Sequence, residues 1–388
     1  MERREIVEGV MTVERDKTIG VGIVGGSTGG WAALGHVPAL RALPGYDLRA
    51  VSTSRQESAE AAAKEFGADA AYDNHADLIA DPAVDLVVVA VKLAHHREII
   101  SAALSAGKTV YSEWPLGVAL AEAGDLTAMA AHAGVRTAVG LQARFAPEVR
   151  YARDLVAQGY VGRVLGSTLV GSGVAWGPTT DRGNLYWYDD ANGATTLTVP
   201  TVHALEAVHH VLGGFADLDA RLVRGRTEVT LSDDGSTAPV SAPDQVMIAG
   251  TLDSGAAASI HYRGGASRGD NLRWEINGTE GDLVVTSAVG SLQVAPLLLE
   301  GGRGDDPRVA ELAVPDAYFA GVGRELTGPA HNVAQLYAQL ARDLADGTHE
   351  VPDFAYALTR HRLVDAVEKA SATGVRQSLA GPVGPEGD

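Results

Sequence analysis

The chain has 388 residues, 46% hydrophobic and 21% charged, with 31 Lys+Arg against 49 Asp+Glu and a formal net charge of −18. That length accommodates two domains with cores of their own, and the composition excludes a disordered protein. The negative field disfavours phosphate backbones and anionic lipid, so neither nucleic acid nor membrane is an expected partner; with no cysteine, disulfides, thiolate catalysis and cysteine-based zinc sites are ruled out.

Met1 to Lys17 is charged and lacks the apolar stretch of a signal peptide. No segment approaches the roughly 18 apolar residues of a membrane span. A flexible N-terminus over 1–17 and a cytoplasmic location are the expectations. The organising stretch follows. Ile19 to Val24 is a β-branched run, Gly25-Gly26-Ser27-Thr28-Gly29-Gly30 a glycine turn, and Trp31 to Ala42 reads as a helix ended by Pro44-Gly45. Strand, tight turn and helix open a dinucleotide-binding βαβ unit. Gly25 and Gly30 take the first and third glycine positions of the G-x-G-x-x-G fingerprint, with Ser27 at the second. Such a turn brings backbone close to a pyrophosphate, which the following helix end helps neutralise. Gly25, Ser27, Thr28, Gly30 and Trp31 are candidate cofactor contacts.

Asp47 to Ser52 reads as the second strand and Ala59 to Phe66 as the next helix. Where an acidic residue usually holds the adenosine ribose, the strand tip carries Thr53-Ser54-Arg55. Hydroxyls and a guanidinium suit a 2′-phosphate, which favours NADP over NAD; a solvated turn arginine is the other reading. Asp85 to Val91 is a continuous apolar run typical of a buried parallel strand, followed by a helix from the His95-His96 region to Ala106. Thr109 to Tyr111 is a short strand leading to Ser112-Glu113-Trp114-Pro115, and Val135 to Gly140 closes the set.

Beyond Gln142 the texture changes. Strands are expected at Leu165–Val170, Asp219–Arg224, Gln245–Leu252, Ala257–Tyr262, Arg273–Ile276 and Asp282–Thr286, with Asp253-Ser254-Gly255 as a hairpin turn. Helices close the chain around Val333–Ala345 and Ala355–Ser371, and a Gly/Pro-rich tail follows. The expected organisation is an α/β Rossmann domain over 18–141, an α+β domain with a large, mostly antiparallel open-faced sheet over 142–376, and a disordered tail over 377–388.

The succession GIVGGSTGGWAALGHVPAL, DLVVVAVKLAHHREIISAALSAGKTVYSEWPL, LQARFAPEVR and NGTEGDL resembles the Gfo/Idh/MocA oxidoreductase family, over most of residues 18 to 375. Within it the likeness is to the subgroup of the fungal galactose-regulon repressor, a cofactor-binding relative not known as an enzyme: GWA after the glycines, EW for the usual EK, and Arg360-His361-Arg362-Leu363 near the end. The resemblance implies hydride transfer between a nicotinamide and a sugar, cyclitol or related carbonyl. By position it puts Val91, Lys92 and His96 on the nicotinamide-ribose side, Glu113 and Trp114 nearer the ring, and Gln142 and Arg144 at the domain junction.

Two departures bear on chemistry. The family's Glu-Lys-Pro lysine is Trp114, which has no group titrating near neutral pH, and the Asp four residues before the motif histidine is Val199. His203 remains as candidate acid/base, against a merely structural histidine. Tyr188 or Tyr186, in Leu185-Tyr186-Trp187-Tyr188-Asp189-Asp190, could replace the lysine as proton donor, and that aromatic and acidic run suits a sugar ring; sheet-edge packing explains it too. His95-His96 lacks a completing carboxylate, so no metal is expected. Two functions follow: an NAD(P)-dependent oxidoreductase acting on a sugar-like substrate, or a non-catalytic NAD(P)-sensing regulator. In either, the open sheet face calls for a homodimer or higher homo-oligomer.

Overall fold

Alternating apolar runs and helices between Ile19 and Gly140 build a six-stranded parallel sheet; the computed structural model describes residues 18–379. Its strands are β1 (Ile19–Val24), β2 (Tyr46–Ser52), β3 (Ala70–Tyr72), β4 (Leu86–Val89), β5 (Thr109–Glu113) and β6 (Thr137–Gly140), in spatial order β3-β2-β1-β4-β5-β6. The connecting helices are α1 (Val37–Arg41), α2 (Gln56–Phe66), α3 (His75–Ala80), α4 (His96–Ser105) and α5 (Leu120–Ala133). All of Leu86–Val89 is buried, as layers on both faces of a parallel sheet require. The chain steps outward from β1 to β3 and then returns to the other side at β4. The crevice at that reversal, between the ends of β1 and β4, is where doubly wound sheets bind ligands.

The helix expected over Trp31 to Ala42 starts instead as a wide π-helical turn, Ala32–His36, closed by Val37 N–H on Ala32 O. Pro38 offers no N–H, so the ordinary ladder cannot run through it. The same device recurs at Leu197–Thr201, which holds Pro200 and leads into a later helix.

The second half adds α6 (Pro147–Ala157), β7 (Val164–Gly173), β8 (Thr179–Thr180), α7 (Val202–Leu212), β9 (Phe215–Val223), β10 (Glu228–Leu231), β11 (Thr237–Pro239), β12 (Gln245–Leu252), β13 (Ala257–Gly264), β14 (Leu272–Gly278), β15 (Gly281–Ser287), β16 (Leu298–Arg303) and β17 (Ala310–Glu311). Last come α8 (Pro329–Asp346), α9 (Phe354–Thr373) and β18 (Gln377–Ser378). Nine strands form one sheet in the order β17-β16-β15-β14-β7-β13-β12-β9-β18, antiparallel except for the β7–β13 pair. Period-two alternation fixes which face is buried: Val246, Ile248, Ile260, Tyr262, Trp274 and Ile276 point to the core. Trp274 Nε1 is satisfied there by Ser167 Oγ at 2.9 Å. The other face carries a row that includes Met247, His261, Val170, Arg273, Thr286 and Leu298, of which Met247, Arg273 and Leu298 are exposed.

Three features were not anticipated from sequence. β8, β10 and β11 form a separate three-stranded sheet beside the aromatic run 185–188. The tail expected to be loose from 377 begins as β18: Gln377 and Ser378 pair with Leu218 and Asp217, and Leu379 N–H donates to Ala216 O at 2.8 Å. Backbone groups left over on the edge strand β9 supply the partners. Residues 1–17 and 380–388 lie outside the described residues. Finally, α8 returns to the nucleotide sheet: Val333, Leu336, Tyr337 and Leu340 share one buried cluster with Val21, Ile23, Val88 and Tyr111. α9 lies between α5 and β9, touching both halves.

Candidate active site

At the end of β1 the backbone turns at Gly25 with φ +93°, and a Cβ there would collide with the Ala90 carbonyl oxygen beyond β4. Only glycine lets the two strand ends nest. Ser27 N–H bonds Gly25 O at 2.9 Å and Gly30 N–H bonds Ser27 O at 3.2 Å, so the turn is held from within while Ser27, Thr28 and Gly29 stay exposed. A Cβ on Gly30 would stand 2.7 Å from Ser27 Oγ. Trp31 follows, half-buried, edge-on to His36. At the tip of β2, Thr53 Oγ1 is 2.9 Å from Arg55 O and 2.6 Å from Ser58 Oγ, which shapes the turn. Ser54 and Arg55 stand exposed beyond it.

Val91 leaves β4 against Gly25, and Lys92 next to it is exposed, its Nζ 4.8 Å from the Tyr186 ring centroid. His96 is buried, its Nε2 3.2 Å from Val91 O and its Nδ1 3.3 Å from Ser112 Oγ. Burial lowers its pKa. It therefore braces the strand ends from below, and Val91 and Lys92 make the surface.

Glu113 closes β5 inside a ring of partners. Gln142 Nε2 lies 3.0 and 2.9 Å from its two oxygens, and His36 Nε2 lies 3.1 Å from Oε1. His36 Nδ1 in turn meets Tyr337 Oη of α8 at 2.8 Å. Burial pushes the Glu113 carboxyl up, but the His36 and Gln142 contacts outweigh it and hold the group below its ordinary pKa. A Cβ on Gly140 would stand 2.7 Å from both carboxylate oxygens, so glycine at the end of β6 makes room for them.

Trp114, 5% exposed, bolts the halves together. Its Nε1 donates to Thr198 O at 2.6 Å, and its ring lies 4.6 Å from that of His361 on α9. Thr198 is fixed by its own hydroxyl, which donates to Gly193 O at 2.7 Å. His203 sits in the first turn of α7, 4% exposed, with its Nδ1 lacking a partner among the described residues. Burial drives its pKa down to about 4, against the opposing charge of Glu113, so at neutral pH it is an uncharged proton acceptor. Gln142 Oε1 and His361 Nε2 are likewise buried without partners. A glycine cradle, a pinned carboxylate and buried polar atoms without partners fit a ligand that carries phosphates at one end and amide or hydroxyl groups at the other.

Residues 19–141 match the family described as oxidoreductase family, NAD-binding Rossmann fold, and residues 147–287 match the Gal80p C-terminal domain. The chain carries the Rossmann domain of the Gfo/Idh/MocA oxidoreductase family followed by a Gal80p-like C-terminal domain. It is 25% identical over 417 residues to the galactose/lactose metabolism regulatory protein GAL80 of Saccharomyces cerevisiae, covering 94% of this chain and 95% of that protein. It is 29% identical to dehydrogenase aclE of Aspergillus oryzae, covering 85% and 88%, and 25% identical to levoglucosan dehydrogenase of Pseudarthrobacter phenanthrenivorans, covering 81% and 82%. A super-repressor mutant of yeast Gal80p has the same fold, with TM-score 0.83 at 24% identity over 93% of this chain and 98% of that one. Both regulators and dehydrogenases are thus similar to this chain over most of its length.

Two residues expected at this site have their side chains tied to partners of the second half. Arg144, expected on the cofactor, turns into the second half: its guanidinium is 3.4 Å from Glu206 Oε1, 3.1 Å from His210 Nδ1 and stacked 5.2 Å over Tyr356. A fully buried carboxylate demands such a partner, and that demand outweighs a solvent-facing role. Tyr188, expected as proton donor, is 4% exposed; its hydroxyl donates to Gly177 O at 2.9 Å and Ala175 O at 3.1 Å, and its ring packs on Val229, Ala238 and Val240 of the small sheet. Tyr186 stays half-buried at the rim with Trp187 stacked on Trp176 behind it. His36, Tyr337 and His361 escaped the sequence reading. Only His361 had a signal, in the Arg-His-Arg-Leu likeness. Among the described residues no group of three or more His, Asp or Glu could hold a metal, and no helix is long and apolar enough to cross a membrane.

Proposed function

We propose that the chain is an NAD(P)-dependent oxidoreductase that moves hydride between a nicotinamide coenzyme and a CH–OH or carbonyl carbon of a sugar, cyclitol or related compound, with Trp114 in place of the family lysine. The observation that carries this is His203: a buried, uncharged imidazole with a free Nδ1 beside the Glu113 anchor, where two domains meet. The dehydrogenases among the relatives support the reaction class, and levoglucosan dehydrogenase the sugar-like substrate.

The coenzyme would supply hydride acceptance or delivery. Gly25, Ser27, Thr28 and Gly30 would cradle its phosphates. Ser54 and Arg55 would meet the adenosine ribose. Val91, Glu113 and Gln142 would line the nicotinamide end. His203 would accept the hydroxyl proton during oxidation, and the indole of Trp114 would keep water out of the junction. The test is absorbance at 340 nm with NADP or NAD and a polyol and sugar panel. Turnover is expected, falling about 10²–10⁴-fold in His203→Ala; no turnover above that variant would sink the reading.

Arg55 favours NADP. In calorimetry, Arg55→Ala is expected to weaken NADP binding by roughly tenfold or more, the scale of one charge-assisted hydrogen bond, and to leave NAD unchanged. Equal loss for both coenzymes would remove the preference. The outer face of the large sheet, with Met247 and Leu298 exposed, would be the homodimer surface, to be read as twice the chain mass by light scattering.

The second reading is a coenzyme-sensing regulator. It is favoured by the commitment of Trp114 to Thr198 O and by the match of 147–287 to the Gal80p C-terminal domain. A protein captured from native extract in only one coenzyme state, together with no turnover on the panel, would decide for it.

A further inference from the structure

We propose that Lys92 is the catalytic cation of this site, holding the reacting oxygen of the substrate from the strand next to the one where the family lysine is missing. This rests on the oxidoreductase reading. β4 and β5 are paired with Val89 opposite Ser112. Lys92, three residues past Val89, and Trp114, two past Ser112, therefore leave the sheet on neighbouring strands about 5 Å apart. The indole at 114 is spent on Thr198 O and His361. Lys92 is not spent: no carboxylate pairs with it among the described residues.

The chain has five lysines, at 17, 64, 92, 108 and 369. Lys108 caps two carbonyls, donating to Val84 O at 2.6 Å and Asp81 O at 3.0 Å, Lys369 pairs with Asp365 at 2.7 Å, and Lys64 stands on the exposed face of α2. Lys92 alone of the described four stands at the reversal point of the sheet, beside the Gly25 turn. Its ammonium is not loose there, since the Tyr186 ring holds it. The segment carrying Tyr186 is itself docked: a Cβ on Gly193 would stand 2.7 Å from Val118 O and 3.2 Å from the Leu93 side chain, and Gly193 O accepts from the Thr198 hydroxyl. Lys92, Tyr186, Gly193, Thr198 and Trp114 thus belong to one connected run of contacts, from the exposed ammonium in to the buried indole.

In the oxidative direction the substrate C–H bond breaks and its electron pair leaves as hydride to the nicotinamide coenzyme, which is reduced. The O–H bond breaks, its proton passes to His203 Nδ1, and the C=O bond forms. Negative charge grows on the oxygen meanwhile, and the Lys92 side chain, held by the Tyr186 ring, stabilises it. Reduction runs the same steps backwards.

Reductive ¹³C-methylation of the full chain gives a lysine spectrum simple enough to read, with the Lys92 signal assigned by its loss in Lys92→Arg. NADPH and NADH are each expected to displace that signal and leave those of Lys64 and Lys369 in place. With any panel compound that is turned over, Lys92→Met is expected to lower kcat about 10²-fold or more, and Lys92→Arg, which keeps the cation, to recover at least a tenth of wild-type kcat. A Lys92 signal that stays put while calorimetry records coenzyme binding overturns the proposal, as does a Lys92→Met chain as active as wild type. A wild-type chain that binds coenzyme and turns over nothing overturns the oxidoreductase reading and Lys92 with it.

Discussion

Stability is expected to fall steeply as pH drops from about 6.5 to about 4, because two histidines at the joint of the halves are buried without charge. His203 and His361, 4% and 5% exposed, each have a pKa driven by burial from 6.5 to about 4. A base whose pKa is depressed on folding contributes stability fully above its unfolded value, and loses it as pH falls through the window down to the folded value. Each contributes on the order of 3 kcal/mol across that window. Glu113, held below its ordinary value, adds to the loss further down as it takes a proton. Glu206 works in the opposite sense, burial pushing it up while Arg144, Arg360 and Tyr356 pull it back. Urea unfolding at pH 7 and pH 4.5 measures the difference. His361→Phe, which keeps an aromatic ring against Trp114 and cannot titrate, should retain more stability at pH 4.5 than wild type does, relative to pH 7. Equal pH dependence in both chains would rule out His361 as a source.

The second large effect is expected at Glu206. Its carboxylate is fully buried, receives the Tyr356 hydroxyl at 2.9 and 3.0 Å, and faces Arg144 at 3.4 Å and Arg360 at 3.9 Å. Both guanidiniums stack on the Tyr356 ring. Glu206→Leu strands two nearly buried cations and should cost about 3–5 kcal/mol. Replacing all three charged residues, Glu206→Leu with Arg144→Met and Arg360→Met, should recover most of that loss, since an apolar substitute for a whole buried cluster is often neutral. Should the triple variant prove no more stable than the single one, uncompensated charge is not the cause and lost packing is.

Much of the frame was legible because it follows from short-range pattern. The valine run at 86–89 could only be a strand covered on both faces, and the limits of Gln245–Leu252 came directly from alternation between a turn and Asp253-Ser254-Gly255. β3, β8, β11, β17 and β18 have two or three residues each, too few for a period to show. In the site, Glu113 and Gln142 were placed by likeness to a family, and their bond confirms only that they are neighbours. The pairing of Arg144 with Glu206 could not be read, because Glu206 lies 62 positions on and carries no local mark of full burial. The His36–Tyr337 contact joins residues 301 positions apart. No window along the chain contains both. The partners of Tyr188 were hidden for a different reason: aromatic residues in a row read alike whether they line a cleft or support it, and the carbonyls of Ala175 and Gly177 lie outside that run.

The return of α8 to the nucleotide sheet sets an order of events during synthesis. Val21, Ile23 and Val88 emerge early, but the residues that shield them, Val333, Leu336 and Tyr337, lie far later in the chain and leave the ribosome long after them. Until then the N-terminal half presents an oily seam and His36 has no Tyr337 to meet. A chaperone that grips apolar surface would find its target there in the nascent chain and lose it once α8 has docked.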